Sequence, residues 1–157
     1  MENGFPIAAV RVRVRPDDMP WVRIALAALA GGAASSMTDW LFMGDRLYRR
    51  YDRHPEIWRH RGGQGEEKAI IWASLLPFFT CGVFAVLCAG LHLYSYSATL
   101  KLAFAIWLIG PLPLTIANTL FVKLTPAIAV FHAVGWLFKL VLAALAATLI
   151  LGWHRLV

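Results

Sequence analysis

Residues 126–153 read PAIAVFHAVGWLFKLVLAALAATLILGW, and this stretch decides the fold. It exceeds the roughly 20 apolar residues that a helix needs to cross a bilayer. Near its middle stands Lys139. An ammonium at that depth costs about 2.5 kcal/mol or more, so it belongs in a bundle interior, a wet cavity or beside an acid. His132, Gly135, Lys139, Ala143 and Ala146 fall on one helical stripe. Small residues on that stripe let another helix approach, which points Lys139 inward.

Three further blocks share the apolar character, about 21–43, 69–93 and 99–122. The chain has 157 residues, 59% of them hydrophobic, and a mean hydropathy of +0.62. Soluble domains sit nearer 45–50% apolar. The expected fold is therefore all-α, an integral membrane four-helix bundle over 21–157 with spans at 21–43, 69–93, 99–122 and 126–153. Backbone groups are satisfied inside each helix.

Outside the spans, residues 1–20 form a polar arm. Val10 to Arg15 alternates valine with Arg11, Arg13 and Arg15, the period of a strand, and Pro16 and Pro20 stop it. The arm is either solvated or laid on lipid headgroups or a partner. Farther on, basic residues leading into an apolar stretch and then Ala-Gly-Gly-Ala-Ala-Ser-Ser imitate a secretory leader, but the block is taken as a retained span. The first loop, residues 44–68, places Leu47, Tyr48, Tyr51, Ile57 and Trp58 at roughly helical spacing. Arg49, Arg50 and Arg53 lie among them. This suits a short interfacial helix with aromatics among headgroups and arginines in water. Gly62, Gly63 and Gly65 read as a flexible joint.

Net charge is +6, and eleven of the fifteen basic residues are arginine. Because they flank apolar spans, they fit anionic lipid or an acidic partner, and nucleic acid is not expected as a partner. The cysteines, Cys81 and Cys88, share a helix face but cannot bridge within one helix. No C-x-x-C pair, G-x-S-x-G or H-E-x-x-H motif supports thiol-redox or hydrolase chemistry. Pro77 is expected to kink the second span, and Gly110-Pro-Leu-Pro113 to distort the third midway.

Depth along the spans, at about 1.5 Å per residue, brings several polar residues to one level. Asp39 and Asn118 lie about a turn from the ends of their spans, Ser74 over a turn into the second and His132 nearly two turns into the fourth. Lys139 is deeper, but its side chain tilts back toward the helix N-terminus. The expected inward layer is Asp39, Asn118, His132 and Lys139, bordered by Ser35 and Thr115. Its plainest role is a clasp that sets helix register. A proton, ion or small-solute site comes second. Haem or metal at His132 comes last, since it is the sole histidine well inside a span, and no cofactor is expected. Trp107 and Trp136, deep in their spans, read as packing residues.

Three segments carry a family resemblance. Ala34 to Asp45 (ASSMTDWLFMGD), together with Asn118-Thr-Leu-Phe121 and Phe131-His-Ala-Val-Gly-Trp136, resembles a family of small four-span bacterial membrane proteins with a domain of unknown function. The basic first loop and the valine–arginine arm depart from it. The resemblance implies four crossings, location in the bacterial inner membrane and no established activity. The small-residue faces and missing catalytic motifs point first to a non-enzymatic accessory subunit or homo-oligomer, in contact with lipids and with other subunits or copies of itself. The alternative is a small transporter or proton-coupled carrier that uses Asp39, His132 and Lys139.

Overall fold

A computed structural model describes residues 20–41, 63–121 and 126–153. The described residues form helices and the turns between them, with no strand. The valine–arginine arm, the interfacial helix and Arg11, Arg13, Arg15, Arg49, Arg50 and Arg53 lie outside the described residues.

Helix α1 is Trp21–Asp39. Pro20 precedes it, and the Pro20 carbonyl accepts the Ile24 amide at 2.9 Å. The helix buries Ile24, Ala27, Gly31, Gly32 and Ser35, one stripe of mostly small residues. It closes with the Trp40 amide donating to the Ser36 and Met37 carbonyls.

Helix α2 is Gln64–Gly90. It begins five residues before the expected span and absorbs Gly65, so the proposed glycine joint is shorter than the sequence suggests. Gly63 supplies the left-handed turn before it, with φ 75°. Glu66 and Glu67 sit in the first turn, where the helix dipole favours acids. The helix runs on through Pro77, which is buried, together with Cys81, Phe84, Ala85, Cys88 and Ala89 on the same face.

The third apolar block forms two helices, α3 (Tyr96–Ile109) and α4 (Pro111–Phe121). Ser95 caps α3, its hydroxyl accepting the Ala98 amide at 3.4 Å. Gly110, at φ −120° and ψ −85°, leaves helical geometry and separates them. Pro111 and Pro113 have no N–H, so the carbonyls of Trp107 and Ile109 lose their ordinary helical donors. Helix α5, Pro126–Leu151, starts on proline, whose missing N–H is harmless at a first helical position.

Helix α5 is the hub. It packs against each of the other four, while α1 also packs on α2 and α3 on α4. The pair α2 and α4 is not among the well-packed ones. The core is made of small side chains around Phe84 and Leu140, chiefly Ala85, Cys88, Ala103, Ala143, Ala144 and Ala147. Two polar contacts tie α3 to α5. Thr99 Oγ1 lies 2.7 Å from Thr148 Oγ1, and Trp107 Nε1–H donates to the Ala133 carbonyl at 2.7 Å.

Three helical stretches are long and apolar enough to cross a membrane: Gln64–Gly90, Tyr96–Phe121 (α3 and α4 together) and Pro126–Leu151. This fits a membrane protein. Helix α1, expected as a further crossing, is not among them. Arg23 and Asp39, with Gly31, Gly32, Ser35, Ser36 and Thr38, dilute its apolar character.

The α1–α2 seam yields a stability test. A methyl group at Gly32 would lie 2.7 Å from the Phe78 Cα, a backbone atom that cannot swing aside, whereas at Gly90 it would meet nothing within 4 Å. Gly32→Ala should lower stability by about 1–3 kcal/mol. Gly90→Ala should be neutral or stabilising, because alanine favours helix. Thermal unfolding in one detergent compares them, and equal melting of the two variants would contradict the close approach.

Candidate functional site

The site starts from the fact that α1 ends where α5 carries its lysine. Asp39 is the last residue of α1. Its Oδ2 lies 2.6 Å from Lys139 Nζ. The side chains retain 29% and 12% of their exposure respectively, so neither charge is fully withdrawn from the adjoining space. Such a pair recovers part of the cost of desolvating both ions, and removing either partner strands the other. Trp136, one turn before Lys139, places its ring 4.6 Å from the ammonium. The ring face attracts a cation, so the lysine is held from two sides.

This pair lines an open cavity of about 590 Å³ between α1, α2 and α5. From α1 come Ser36 and Met37 beside Asp39, Trp40 follows directly after the helix, and from α2 come Ile70, Ala73, Ser74 and Phe78. Helix α5 contributes His132, Gly135, Trp136 and Lys139. The Ser74 hydroxyl donates to the Ile70 carbonyl at 2.8 Å, which leaves its lone pairs to accept from something else. Pro77 deprives the Ala73 carbonyl of its helical donor, and Ala73 is a lining residue.

A second cavity of about 510 Å³ lies on the other side, against α4. Gly110, Pro111, Leu114, Thr115 and Asn118 line it, and His132 and Trp136 complete it. The two spaces therefore share a wall of two side chains, one helical turn apart on α5. The Thr115 hydroxyl donates to the Pro111 carbonyl at 2.6 Å, bracing the first turn after the break.

The expected single layer thus falls into three parts. Asp39, His132 and Lys139 come together in the first cavity. Asn118 and Thr115 stand in the second, joined to the first through His132. Ser35 faces neither, because it is fully buried in the α1–α2 seam, with its hydroxyl 3.7 Å from Cys81 Sγ. Spacing had assigned Ser35 to the border of the layer, but its stripe turns toward α2 instead. The lining residues that sequence reasoning overlooked include Ser36, Trp40 and Trp136. Trp136 and Ser36 sit three residues before Lys139 and Asp39, so the rule that such pairs share a face would have found both.

Among the described residues no three His, Cys, Asp or Glu side chains gather in a way that could hold a metal. What the arrangement offers is a mostly apolar recess with a charge-balanced polar spot, made of one acid, one ammonium, an imidazole, two serine hydroxyls and the Ala73 carbonyl, walled in part by aromatic rings. No family model, curated protein or solved structure matches the chain.

Accessibility separates neighbouring serines. Ser36 lines the cavity and Ser35 is wholly buried. Cys81 and Cys88 are buried too, at 2% and 0% exposure, so the wild type gives a low background. A water-soluble maleimide should modify Ser36→Cys and Ser74→Cys readily but leave Ser35→Cys nearly untouched. Mass spectrometry of the intact protein reads the result, and equal labelling at 35 and 36 would contradict the placement of the recess.

Proposed function

We propose that the protein is a small non-enzymatic membrane carrier, that α1 completes a four-crossing bundle, and that the two cavities over His132 and Trp136 form its solute site. One observation carries this: the Asp39–Lys139 pair and the broken span open onto spaces that share the same two α5 side chains. Each feature is costly in hydrocarbon by itself. Intramembrane ionisable groups mark ion and solute pathways. Irregular backbone at membrane depth is tolerated where it is buried in protein or lines a wet cavity. Discontinuous helices whose freed carbonyls face the substrate are a recurring device of transport sites.

The mechanism this suggests is exchange of partners. In the resting protein Asp39 and Lys139 neutralise each other. A polar solute entering the recess substitutes for one or both halves of that contact, while Trp136 keeps the ammonium from following the solute out. Beyond the recess the bundle is closed by Phe84, Ala85, Leu140 and Ala144, all nearly inaccessible. Release on the opposite side then requires α3 and α4 to shift on α5, and the Gly110 break is where that shift would be absorbed.

A second function, as an accessory subunit or homo-oligomer, is favoured by the outer surface of α4. That helix buries none of its residues, and only 6% of the most apolar stretch of Tyr96–Phe121 is buried. In this case another subunit or a second copy covers α4, with lipid covering the rest. Location in a bacterial inner membrane goes with the family resemblance. Native mass spectrometry from mild detergent distinguishes the two functions by showing either bound copies and partners or a monomer.

Proteoliposomes test the carrier directly. Wild-type protein should move protons or small polar solutes faster than empty vesicles. Lys139→Met, checked for unchanged helicity and elution, should reduce that flux at least about tenfold, the loss for one missing charge-assisted contact. Folded wild-type protein that moves nothing would contradict it.

A further inference from the structure

We infer that the first cavity is a binding site for a zwitterion, a net-neutral ligand carrying one protonated amine and one acid group, carboxylate or phosphate. The inference deepens the carrier function by naming its ligand class.

Charge balance is the starting point. The recess presents one carboxylate and one ammonium, 2.6 Å apart and both accessible from the same space. A simple anion that captured Lys139 would leave Asp39 without its partner. A simple cation on Asp39 would strand Lys139. In a low-dielectric site a stranded charge costs several kcal/mol. A ligand with both charges replaces the contact at both ends, its acid on Lys139 and its amine on Asp39, and leaves nothing uncompensated. The exchange is neutral in charge at every stage, which suits a recess whose lining is mostly apolar.

The surroundings match the two ends. The lysine is already seated on Trp136, 4.6 Å from the ring centre, so it stays in place when Asp39 departs. Next to Asp39, the Trp40 ring lines the same space and is 70% exposed, a free aromatic face for an ammonium. The Ser74 hydroxyl has its proton engaged on the Ile70 carbonyl and so can only accept, which again favours an N–H donor. The acceptors therefore outnumber what the lysine needs. The volume of about 590 Å³ is large enough for a small metabolite or a lipid headgroup.

One chemistry has two sources here, a free amino acid or glycerophosphoethanolamine, and the headgroup of a phosphatidylethanolamine. Thermal unfolding of the full-length protein in detergent tests the free ligands, with β-alanine and glycerophosphoethanolamine as zwitterions and acetate and ethylammonium as half-ligands at equal ionic strength. Nanodiscs of phosphatidylethanolamine against phosphatidylcholine, whose quaternary amine has no N–H, test the lipid. The zwitterions, or the ethanolamine lipid, should raise the melting temperature by a few degrees, and the half-ligands should not. The raised melting should vanish in Asp39→Asn/Lys139→Met, which removes both charges together and avoids stranding either. Trp40→Ala, a change at an exposed ring, should weaken the apparent affinity about threefold. Free zwitterions acting alone assign the site to a soluble ligand; the ethanolamine lipid acting alone assigns it to the membrane. Equal effects from half-ligands, retention of the effect in the double variant, or no effect from any member of the panel would overturn the inference. Flux without zwitterion binding would leave the carrier standing and remove this ligand class, whereas binding without flux would do the reverse.

Discussion

The contact between Asp39 and Lys139 is the constraint around which the rest of this molecule is arranged. A lysine within an apolar helix can be tolerated by snorkelling to water or by meeting an acid. Here it meets an acid from a different helix at 2.6 Å. That requirement fixes how far α1 can slide along α5, because Asp39 is the final residue of α1 and a slip of one turn would carry it about 5.4 Å out of reach. The small residues of α1 serve the same end. Ala27, Gly31, Gly32 and Ser35 let that helix lie close on α2 and α5, so its last turn arrives beside Lys139 rather than above it.

The prolines belong to the same design. Pro77, Pro111 and Pro113 each remove a backbone donor; the carbonyl that Pro77 frees belongs to Ala73, which lines the first cavity, and Pro111 itself lines the second. In a soluble protein such freed carbonyls would turn to solvent. In a bilayer they need protein or water, and the spaces flanking His132 and Trp136 are where water or a polar ligand can supply it. The opposite half of the bundle is built differently. There the packing is chiefly of alanines around Phe84 and Leu140, tied by the threonine pair Thr99 and Thr148. The molecule therefore has a polar, partly open end and a tight apolar end, joined through one hub helix.

Much of this was legible from residue order. Periodicity located the apolar blocks, and small residues three and four apart marked the faces that pack. Depth counting brought Asp39 to the level of Lys139, because helix rise is regular enough to survive from sequence to structure. Azimuth was less legible. Ser35 shares a stripe with packed glycines, yet that stripe faces α2, so the hydroxyl ends in a seam beside Cys81 and not in the recess. The division of the polar layer into two spaces was also hidden, since it depends on α2 and α4 standing apart on either side of α5. Nothing in either helix's own sequence specifies that separation. Trp136 was read as packing because its depth says only that it is buried in the span. Its role under the ammonium emerges from a partner three residues away.

If the ion pair is the organising contact, Asp39 and Lys139 must be energetically coupled. A double-mutant cycle of Asp39→Asn, Lys139→Met and their combination, followed by reversible unfolding in detergent, measures this. Each single change should destabilise the protein, and the double variant should be more stable than the sum of the two losses implies, with a coupling of about 1–3 kcal/mol. The partial exposure of the carboxylate, 29%, keeps the expected value below that of a fully buried pair. Losses that simply add would mean that the two charges do not depend on each other and would contradict the account.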